Sequence, residues 1–305
     1  MLALVNSPPI GVELREVPSL DPAPNEAVIE VRAFSVNRGE LTLLAIRPDG
    51  WRPGQDVAGV VIRGAADGSG PKEGARVVAW VDQAGWAEQA AAPTARVVEL
   101  ADTVALEDAA TVPVAGITAL RTLRLGGQLI GRRVLITGAA GGVGRFAVQI
   151  AAMVGAEVTG VARNAERAAG LPELGTSEVV HDVEEAKAGF DLILESAGGA
   201  SLSAALGRLG PDGLLVMFGN SSKEPAEIRF DVLPGSPRLQ SFRVYESGEP
   251  PTFGSDLRRL VGLMASGRLR AQIGFQGPWD EAGPALEALR ERRVNGKAVL
   301  RPQRP

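Results

Sequence analysis

Cysteine is absent from this chain of 305 residues, and histidine and tyrosine occur once each, at His181 and Tyr245. Without cysteine the chain has no disulfide bond, no thiolate metal site and no cysteine nucleophile. A single histidine also excludes most zinc chemistry, because zinc is usually held by several histidine or cysteine ligands. Any function must therefore be built from other groups.

An excess of positive charge is also lacking: Lys and Arg total 32 against 36 Asp and Glu, a net charge of −4. This excludes a broadly basic nucleic-acid binder. The N-terminus has neither the basic nor the apolar region of a signal peptide. The longest apolar stretch, 134–162, contains Arg145, Gln149 and Glu157, which a membrane span disfavours. We expect a cytoplasmic protein without a nucleic-acid or membrane partner.

The chain changes character near residue 111. Residues 1–113 carry short β-branched runs broken by Gly and Pro, a pattern typical of an all-β domain. In residues 114–245 short apolar strands alternate with helical spacing, which predicts a parallel sheet covered by helices. Residues 246–305 are too short for a core of their own. We therefore predict an α/β protein with a discontinuous β domain, 1–113 and 246–305, and a doubly wound domain, 114–245.

A glycine-rich turn is the strongest chemical signal, and its residues are Gly138, Ala139, Ala140, Gly141, Gly142, Val143 and Gly144. It follows a predicted strand and opens a predicted helix that Gly155 is placed to end. The G-x-x-G-x-x-G spacing is a variant of the dinucleotide fingerprint, in which a tight turn brings backbone close to a pyrophosphate at a helix N-terminus. The alternative is a purely structural turn, but strand, turn and helix are all in register for binding.

The residue that ends the second strand of this domain indicates which dinucleotide binds. NAD sites usually place an acid about 20 residues after the glycines, where it bonds the ribose 2′-OH. Arg163 occupies this region, and Arg167 follows one helical turn later. Arginine can pair with a 2′-phosphate, which favours NADPH; the alternative is that both arginines are solvated surface residues.

These features together resemble the zinc-independent quinone oxidoreductase branch of the medium-chain dehydrogenases/reductases. The resemblance covers nearly the whole chain, and beyond the glycine turn it is carried by residues 36–40, 54–61, 85–88, 218–222 and 296–300. It implies a GroES-like β domain, a Rossmann domain and NADPH bound in the cleft between them. It also implies a homodimer that reduces quinones or α,β-unsaturated carbonyl compounds.

The resemblance also implies roles for individual residues on the nicotinamide side. Asn37 falls near nicotinamide and substrate, where the alternative is an Asn that caps a turn. Thr118 falls near the carboxamide, where the alternative is an ordinary helix residue. Phe218, Gly219 and Asn220 end a strand at the edge of the sheet where such folds bind ligands, and the alternative is a plain turn.

Further cofactor contacts implied by the resemblance are Phe242, Arg243, Gly296 and Lys297. Tyr245 follows a predicted strand, 239–244, and its phenol is a candidate proton donor; the alternative is a packing residue. One departure concerns the 2′-phosphate, because the family's tyrosine aligns here with His181 or Asp182. An acid at that point is unfavourable unless it points away.

Three functions remain open. The first is an NADPH-dependent reductase of quinones or enones, in which hydrogen bonds stabilise the developing oxyanion and solvent can supply the proton. The second is an enoyl reductase on a carrier-bound or polyketide-like substrate, whose mark is a basic rim. The third is a non-enzymatic NADPH-binding sensor. The intact glycine turn and nicotinamide-side segment argue against a degenerate cofactor site.

Overall fold

A computed structural model describes residues 1–9, 11–245 and 250–303, and the side chains of 250–252 are not described. The chain forms two compact units. One is Met1–Ile117 with Glu249–Pro305, and the other is Thr118–Gly248. The boundaries expected from the sequence were 113/114 and 245/246.

The strands within the described residues are β1 (Leu2–Asn6), β2 (Val12–Glu16), β3 (Glu26–Val36), β4 (Asp56–Arg63), β5 (Arg76–Trp80), β6 (Gln89–Pro93), β7 (Val97–Glu99), β8 (Arg133–Ile136), β9 (Glu157–Val161), β10 (Glu178–Val180), β11 (Phe190–Glu195), β12 (Leu209–Met217), β13 (Arg238–Ser241), β14 (Ile273–Pro278) and β15 (Lys297–Arg301). The α-helices are α1 (Arg38–Ile46), α2 (Leu106–Ala110), α3 (Pro113–Leu125), α4 (Gly142–Met153), α5 (Ala165–Ala168), α6 (Leu171–Leu174), α7 (Gly199–Leu206), α8 (Pro250–Ala265) and α9 (Ala282–Arg290). Short 3-10 turns span Thr94–Arg96, Val183–Glu185, Phe230–Val232 and Trp279–Glu281.

The first unit is built on a mixed sheet in the order β14-β15-β3-β4-β5-β7, with β6 also paired to β3. Strands β1 and β2 form a separate pair. Strand β15 pairs antiparallel with β3, so the closing segment of the chain shares a sheet with the N-terminal strands. The apolar faces of these strands enclose a core in which the rings of Phe34 and Trp86 stack, with centroids 5.7 Å apart.

The second unit contains a sheet that is parallel throughout its described strands, in the order β10-β9-β8-β11-β12-β13. Counted from β8, this order is 3-2-1-4-5-6, the doubly wound arrangement. Helices connect most of the strands, and the apolar core between them includes Leu135, Phe190 and Ile193. The predicted α/β class is confirmed, with a parallel sheet in one unit and a separate mixed sheet in the other.

Two local expectations need correction. The strand predicted over 239–244 ends at Ser241, which pairs with Met217, the last residue of its neighbour β12. Beyond it the Phe242 amide donates to the Met217 carbonyl. Val154 falls at the helical spacing of the apolar residues before Gly155, but α4 ends at Met153 and Val154 is 42% exposed. Gly155 follows with φ of +86°, so the predicted stop is confirmed.

No helix in the described ranges is long and apolar enough to cross a membrane. Within the same ranges, no three His, Cys, Asp or Glu side chains are grouped so as to hold a metal ion.

Candidate active site

The glycine turn lies where the strand order of the parallel sheet reverses. Strands β8 and β11 are neighbours there, and the connections from their carboxyl ends lead to helices α4 and α7. In doubly wound sheets ligands bind outside the carboxyl ends of the strands at this reversal point. The turn therefore occupies the position that a dinucleotide site requires.

Two glycines of the turn are fixed by geometry. Gly138 has φ of +59°, a left-handed conformation that disfavours side chains. At Gly144 a Cβ would lie 2.4 Å from the Gly138 carbonyl oxygen and 2.7 Å from the Ala139 backbone, so the helix could not approach the strand. The first turn of α4 begins at Gly142, and its N–H groups have no partners within the helix. Such groups, together with the helix dipole, attract an anion.

Ser196, which the sequence interpretation overlooked, joins the glycine turn to the segment expected on the nicotinamide side. Its amide donates to Thr137 Oγ1 at 2.9 Å, and a Cβ on Gly138 would lie 2.8 Å from its Oγ. A Cβ on Gly219 would lie 2.9 Å from the Ser196 carbonyl oxygen. The structure thus brings two predicted cofactor segments together around one residue. Asn220, next in that segment, is exposed.

Glu195 is a second residue that the sequence interpretation missed. It is fully buried at the end of β11, and its carboxylate accepts bonds from the amides of Ala197 and Gly198 and from the Ser201 hydroxyl at 2.9–3.2 Å. These donors precede and enter α7, so the carboxylate fixes the loop beside Ser196. The only available signal was an acid ending an apolar strand.

Arg163 and Arg167 lie just beyond β9. Arg163 is exposed and Arg167 half-buried in α5, where its amide donates to the Asn164 side chain at 2.9 Å. His181 Nδ1 donates to the carbonyl of Ala162 at 2.8 Å, which places the ring beside the start of this segment. The two arginines therefore lie at the end of the second strand, as the sequence predicted.

Asp182, the acid that cast doubt on a 2′-phosphate site, is turned to its own backbone. Its side chain accepts from the Glu184 amide at 3.0 Å and begins the 3-10 turn Val183–Glu185. An acidic side chain commonly begins a helical turn in this way. The Asp182 carboxylate thus makes a local contact.

Arg145 is a further residue whose role was missed. Although charged, it is buried in α4, where it donates to the carbonyls of Ala140 at 3.2 Å and Ala169 at 2.8 Å. Burial lowers the pKa of its guanidinium. The Arg145 side chain thus links the glycine turn to the segment after α5, and these hydrogen bonds help to hold the turn in place.

The remaining predicted site residues of the second unit differ in how exposed they are. Thr118 is buried in α3, and its carbonyl accepts from Thr122 Oγ1 at 2.8 Å. Phe242 is buried, Arg243 is exposed and Tyr245 is 50% exposed. Their roles toward a cofactor or substrate stay predictions.

A buried polar network surrounds Asn37 in the first unit. Lys297 Nζ donates to Asn37 Oδ1 at 2.5 Å and lies 3.2 Å from Asp56 Oδ2. The same Asp56 oxygen accepts from Asn37 Nδ2 at 2.9 Å and from Ser35 Oγ at 2.6 Å, while Oδ1 accepts from the Val114 amide at 2.9 Å. Asn37 also immediately precedes α1, where its backbone carbonyl accepts from the Glu40 amide at 3.1 Å. Asp56 and Ser35 were not singled out from the sequence.

Glu40 lies beside this network. It is fully buried, and its Oε2 accepts from the Asn37 amide at 2.7 Å, whereas its Oε1 has no hydrogen-bond partner. Burial, and then the nearby Asp56 charge, raises the pKa of Glu40 to about 8. The side chain is therefore a neutral acid at neutral pH.

Comparison with known proteins agrees with this geometry. The family described as zinc-binding dehydrogenase matches residues 142–262. A quinone oxidoreductase of Pseudomonas aeruginosa is 28% identical over 96% of this chain and 96% of its own length. A component of the pikromycin polyketide synthase of Streptomyces venezuelae is 32% identical over 91% of this chain, but this chain spans only 8% of that protein.

Solved structures share the whole fold. The quinone oxidoreductase of Escherichia coli in complex with NADPH has a TM-score of 0.88 at 24% identity, covering 99% of this chain and 100% of that one. A mycobacterial protein in complex with NADPH has a TM-score of 0.90 at 24% identity, with the same coverage. At this identity the likeness establishes the architecture of the chain.

Proposed function

This chain belongs to the quinone oxidoreductase branch of the medium-chain dehydrogenase/reductase family, and on that basis we propose that it is an NADPH-dependent reductase of quinones or α,β-unsaturated carbonyl compounds. The observation that carries the proposal is the glycine turn at the reversal point of the parallel sheet, where Gly144 leaves no room for a Cβ. That cradle fits a dinucleotide pyrophosphate.

Residues of the second unit would hold the cofactor, which supplies the hydride when bound. The N–H groups at the start of α4 suit the pyrophosphate. Arg163 and Arg167 suit the 2′-phosphate, because each guanidinium offers several donors to phosphate oxygens. Phe218–Asn220, Thr118, Phe242 and Arg243, with Gly296 and Lys297 of the other unit, remain the predicted further contacts.

Asn37 is the proposed substrate-side residue, since its side-chain amide can donate to an oxygen that gains negative charge as the hydride arrives. The proton that completes reduction comes from solvent or from the Tyr245 phenol. No metal is part of the proposal, because a chain without cysteine and with one histidine lacks the ligands that zinc usually takes.

The test is a panel of small quinones and enones with NADPH and NADH as alternative reductants. We expect NADPH to bind well above NADH and to be oxidised by at least one small quinone. Equal affinity for both cofactors would overturn the role given to Arg163. Tight NADPH binding without turnover across the panel would support the sensor function.

A second candidate is an enoyl reductase acting on a carrier-bound or polyketide-like intermediate. The 32% identity to the polyketide synthase component favours it. A 2-enoyl thioester of N-acetylcysteamine, compared with a simple quinone under the same conditions, separates the two functions. A kcat/KM at least tenfold higher for the thioester would favour the carrier-bound substrate.

We also propose a homodimer located in the cytoplasm. Strand β13 lies at the edge of the parallel sheet and all four of its residues are exposed, so its edge can pair with another copy. The 3-10 turn before it exposes the ring of Phe230. Light scattering of Phe230→Asp against the wild type tests the dimer, with loss of the dimeric mass expected. Cell fractionation tests the location.

A further inference from the structure

The network around Asn37 contains one buried cation and one buried carboxylate from distant parts of the sequence. Lys297 opens β15 and is 3% exposed, and Asp56 opens β4 and is fully buried. Taking either charge out of water is costly unless it is paired and hydrogen-bonded. Four donors surround Asp56: Ser35 Oγ, Asn37 Nδ2, Lys297 Nζ and the Val114 amide.

These two charges leave the Asn37 amide a single orientation. An ammonium can only donate hydrogen bonds, and an ionised carboxylate can only accept them. With Oδ1 on the Lys297 ammonium and Nδ2 on Asp56, both contacts are favourable. The flipped amide would set oxygen against carboxylate and NH2 against ammonium, which makes both contacts repulsive.

The oriented Asn37 amide has one N–H hydrogen left to donate. The ammonium engages the carbonyl oxygen, and one of the two Nδ2 hydrogens bonds to Asp56, so the second hydrogen is the donor that the amide can offer to a ligand. Asn37 also retains 8% of its surface, more than the 0% of Asp56 and the 3% of Lys297. It is therefore the most exposed of these three groups.

We propose that Lys297 is a positioning residue: with Asp56 it holds the Asn37 side chain so that an N–H, and not a carbonyl, meets the reacting oxygen of the substrate. This inference rests on the proposed reductase function and deepens it. It limits the substrate to compounds whose reacting oxygen accepts a hydrogen bond, as a quinone or enone oxygen does, because no proton-donating hydroxyl can be received there.

The test is a double-mutant cycle on NADPH oxidation by a small quinone, using Asn37→Leu, Lys297→Met and the double variant. If Lys297 acts through Asn37, each single change lowers kcat by about tenfold or more, and the double variant stays within about twofold of Asn37→Leu. The Kd for NADPH, measured by fluorescence, should change less than threefold in all three variants, because the Lys297 ammonium is engaged by Asn37 and Asp56. A loss of NADPH affinity in Lys297→Met would instead support the cofactor contact predicted for Lys297 from the sequence and would overturn the positioning role. If the fold losses in kcat of the two single variants multiply in the double variant, the proposal is overturned.

Two further variants keep the cycle interpretable. Lys72→Met removes an exposed lysine of the same unit and should leave kcat unchanged. If Lys297→Met fails to fold, Lys297→Gln replaces it in the cycle, since its neutral amide both donates and accepts and so no longer fixes the orientation of Asn37. Lys297→Gln should then lower kcat only while Asn37 is present; an equal loss in the Asn37→Leu background would contradict the positioning role.

A readout without turnover separates this inference from the proposed function. In the wild type, NMR should detect a protected Lys297 ammonium with contacts to the Asn37 side-chain amide, assigned by its loss in Asn37→Leu. If the wild type oxidises no NADPH but this signal is present, the reductase function is wrong and the orientation of the amide stands. A lysine ammonium in free exchange with solvent would overturn the orientation itself.

Discussion

Replacement of Glu40 by Gln should change how the stability of the protein depends on pH. Burial, followed by the Asp56 charge, raises the pKa of Glu40 from 4.5 to about 8. Between these values the native state holds a proton that the unfolded state has released. The free energy of unfolding therefore falls as pH rises from about 4.5 to about 8, and this contribution is constant outside that window.

The size follows from the same two pKa values. At about 1.4 kcal/mol per pH unit, the full effect is at most about 5 kcal/mol, and between pH 6 and pH 8 it is about 2 kcal/mol. Glutamine at position 40 has no proton to lose. Its NH2 lies where Glu40 Oε1 has no partner. A buried donor without a partner lowers the free energy of unfolding by about 1–3 kcal/mol at every pH.

The assay is thermal unfolding of the wild type and Glu40→Gln across pH 6–8. From pH 6 to pH 8 the free energy of unfolding of the variant should rise by about 2 kcal/mol relative to that of the wild type. This corresponds to roughly 4–8 °C in the Tm of a unit of this size. Glu73→Gln, which changes an exposed carboxyl of the same unit, is the matched control. Parallel curves for Glu40→Gln and the wild type would refute the assignment of a buried neutral acid.

Three other changes test the candidate site. Gly144→Ala sets a Cβ 2.4 Å from a turn carbonyl, so it should lower stability by about 1–3 kcal/mol and weaken NADPH binding, whereas Gly262→Ala, with open space, should do neither. Arg163→Gln should raise the Kd for NADPH by about tenfold and leave that for NADH unchanged, with Arg132→Gln as a control in titration calorimetry. If Tyr245 is the proton donor, Tyr245→Phe should lower kcat by about 100-fold; a change below twofold would assign the proton to solvent.

The elements of the second unit were predictable because their signals are local. A strand, a glycine turn and an amphipathic helix follow one another within about 20 residues, and the stop at Gly155 is confirmed. The end of β13 was not predictable, because it depends on where β12 ends. Periodicity along one segment carries no information on the length of its neighbour in the sheet.

The site residues divide in the same way. Gly138 and Gly144 could be identified because a turn's backbone demands glycine at fixed spacing. The partners of Asn37 could not: Lys297 is 260 residues away from it, and Asp56 meets both only because β3, β4 and β15 are brought together in one sheet. Glu195 and Arg145 were missed because an isolated charge in an apolar segment does not reveal which backbone groups it will bind.

The most direct test of the central claim is a single turnover with NADPH deuterated at the transferred position and 2-cyclohexenone, followed by mass spectrometry of the product. We predict that the wild type forms saturated ketone carrying one deuterium on the carbon β to the carbonyl. Asn37→Leu should form the same product at a rate reduced in proportion to its kcat. Saturated ketone without deuterium would contradict hydride transfer by this protein. So would tight NADPH binding with neither hydroquinone from any quinone nor saturated ketone from any enone.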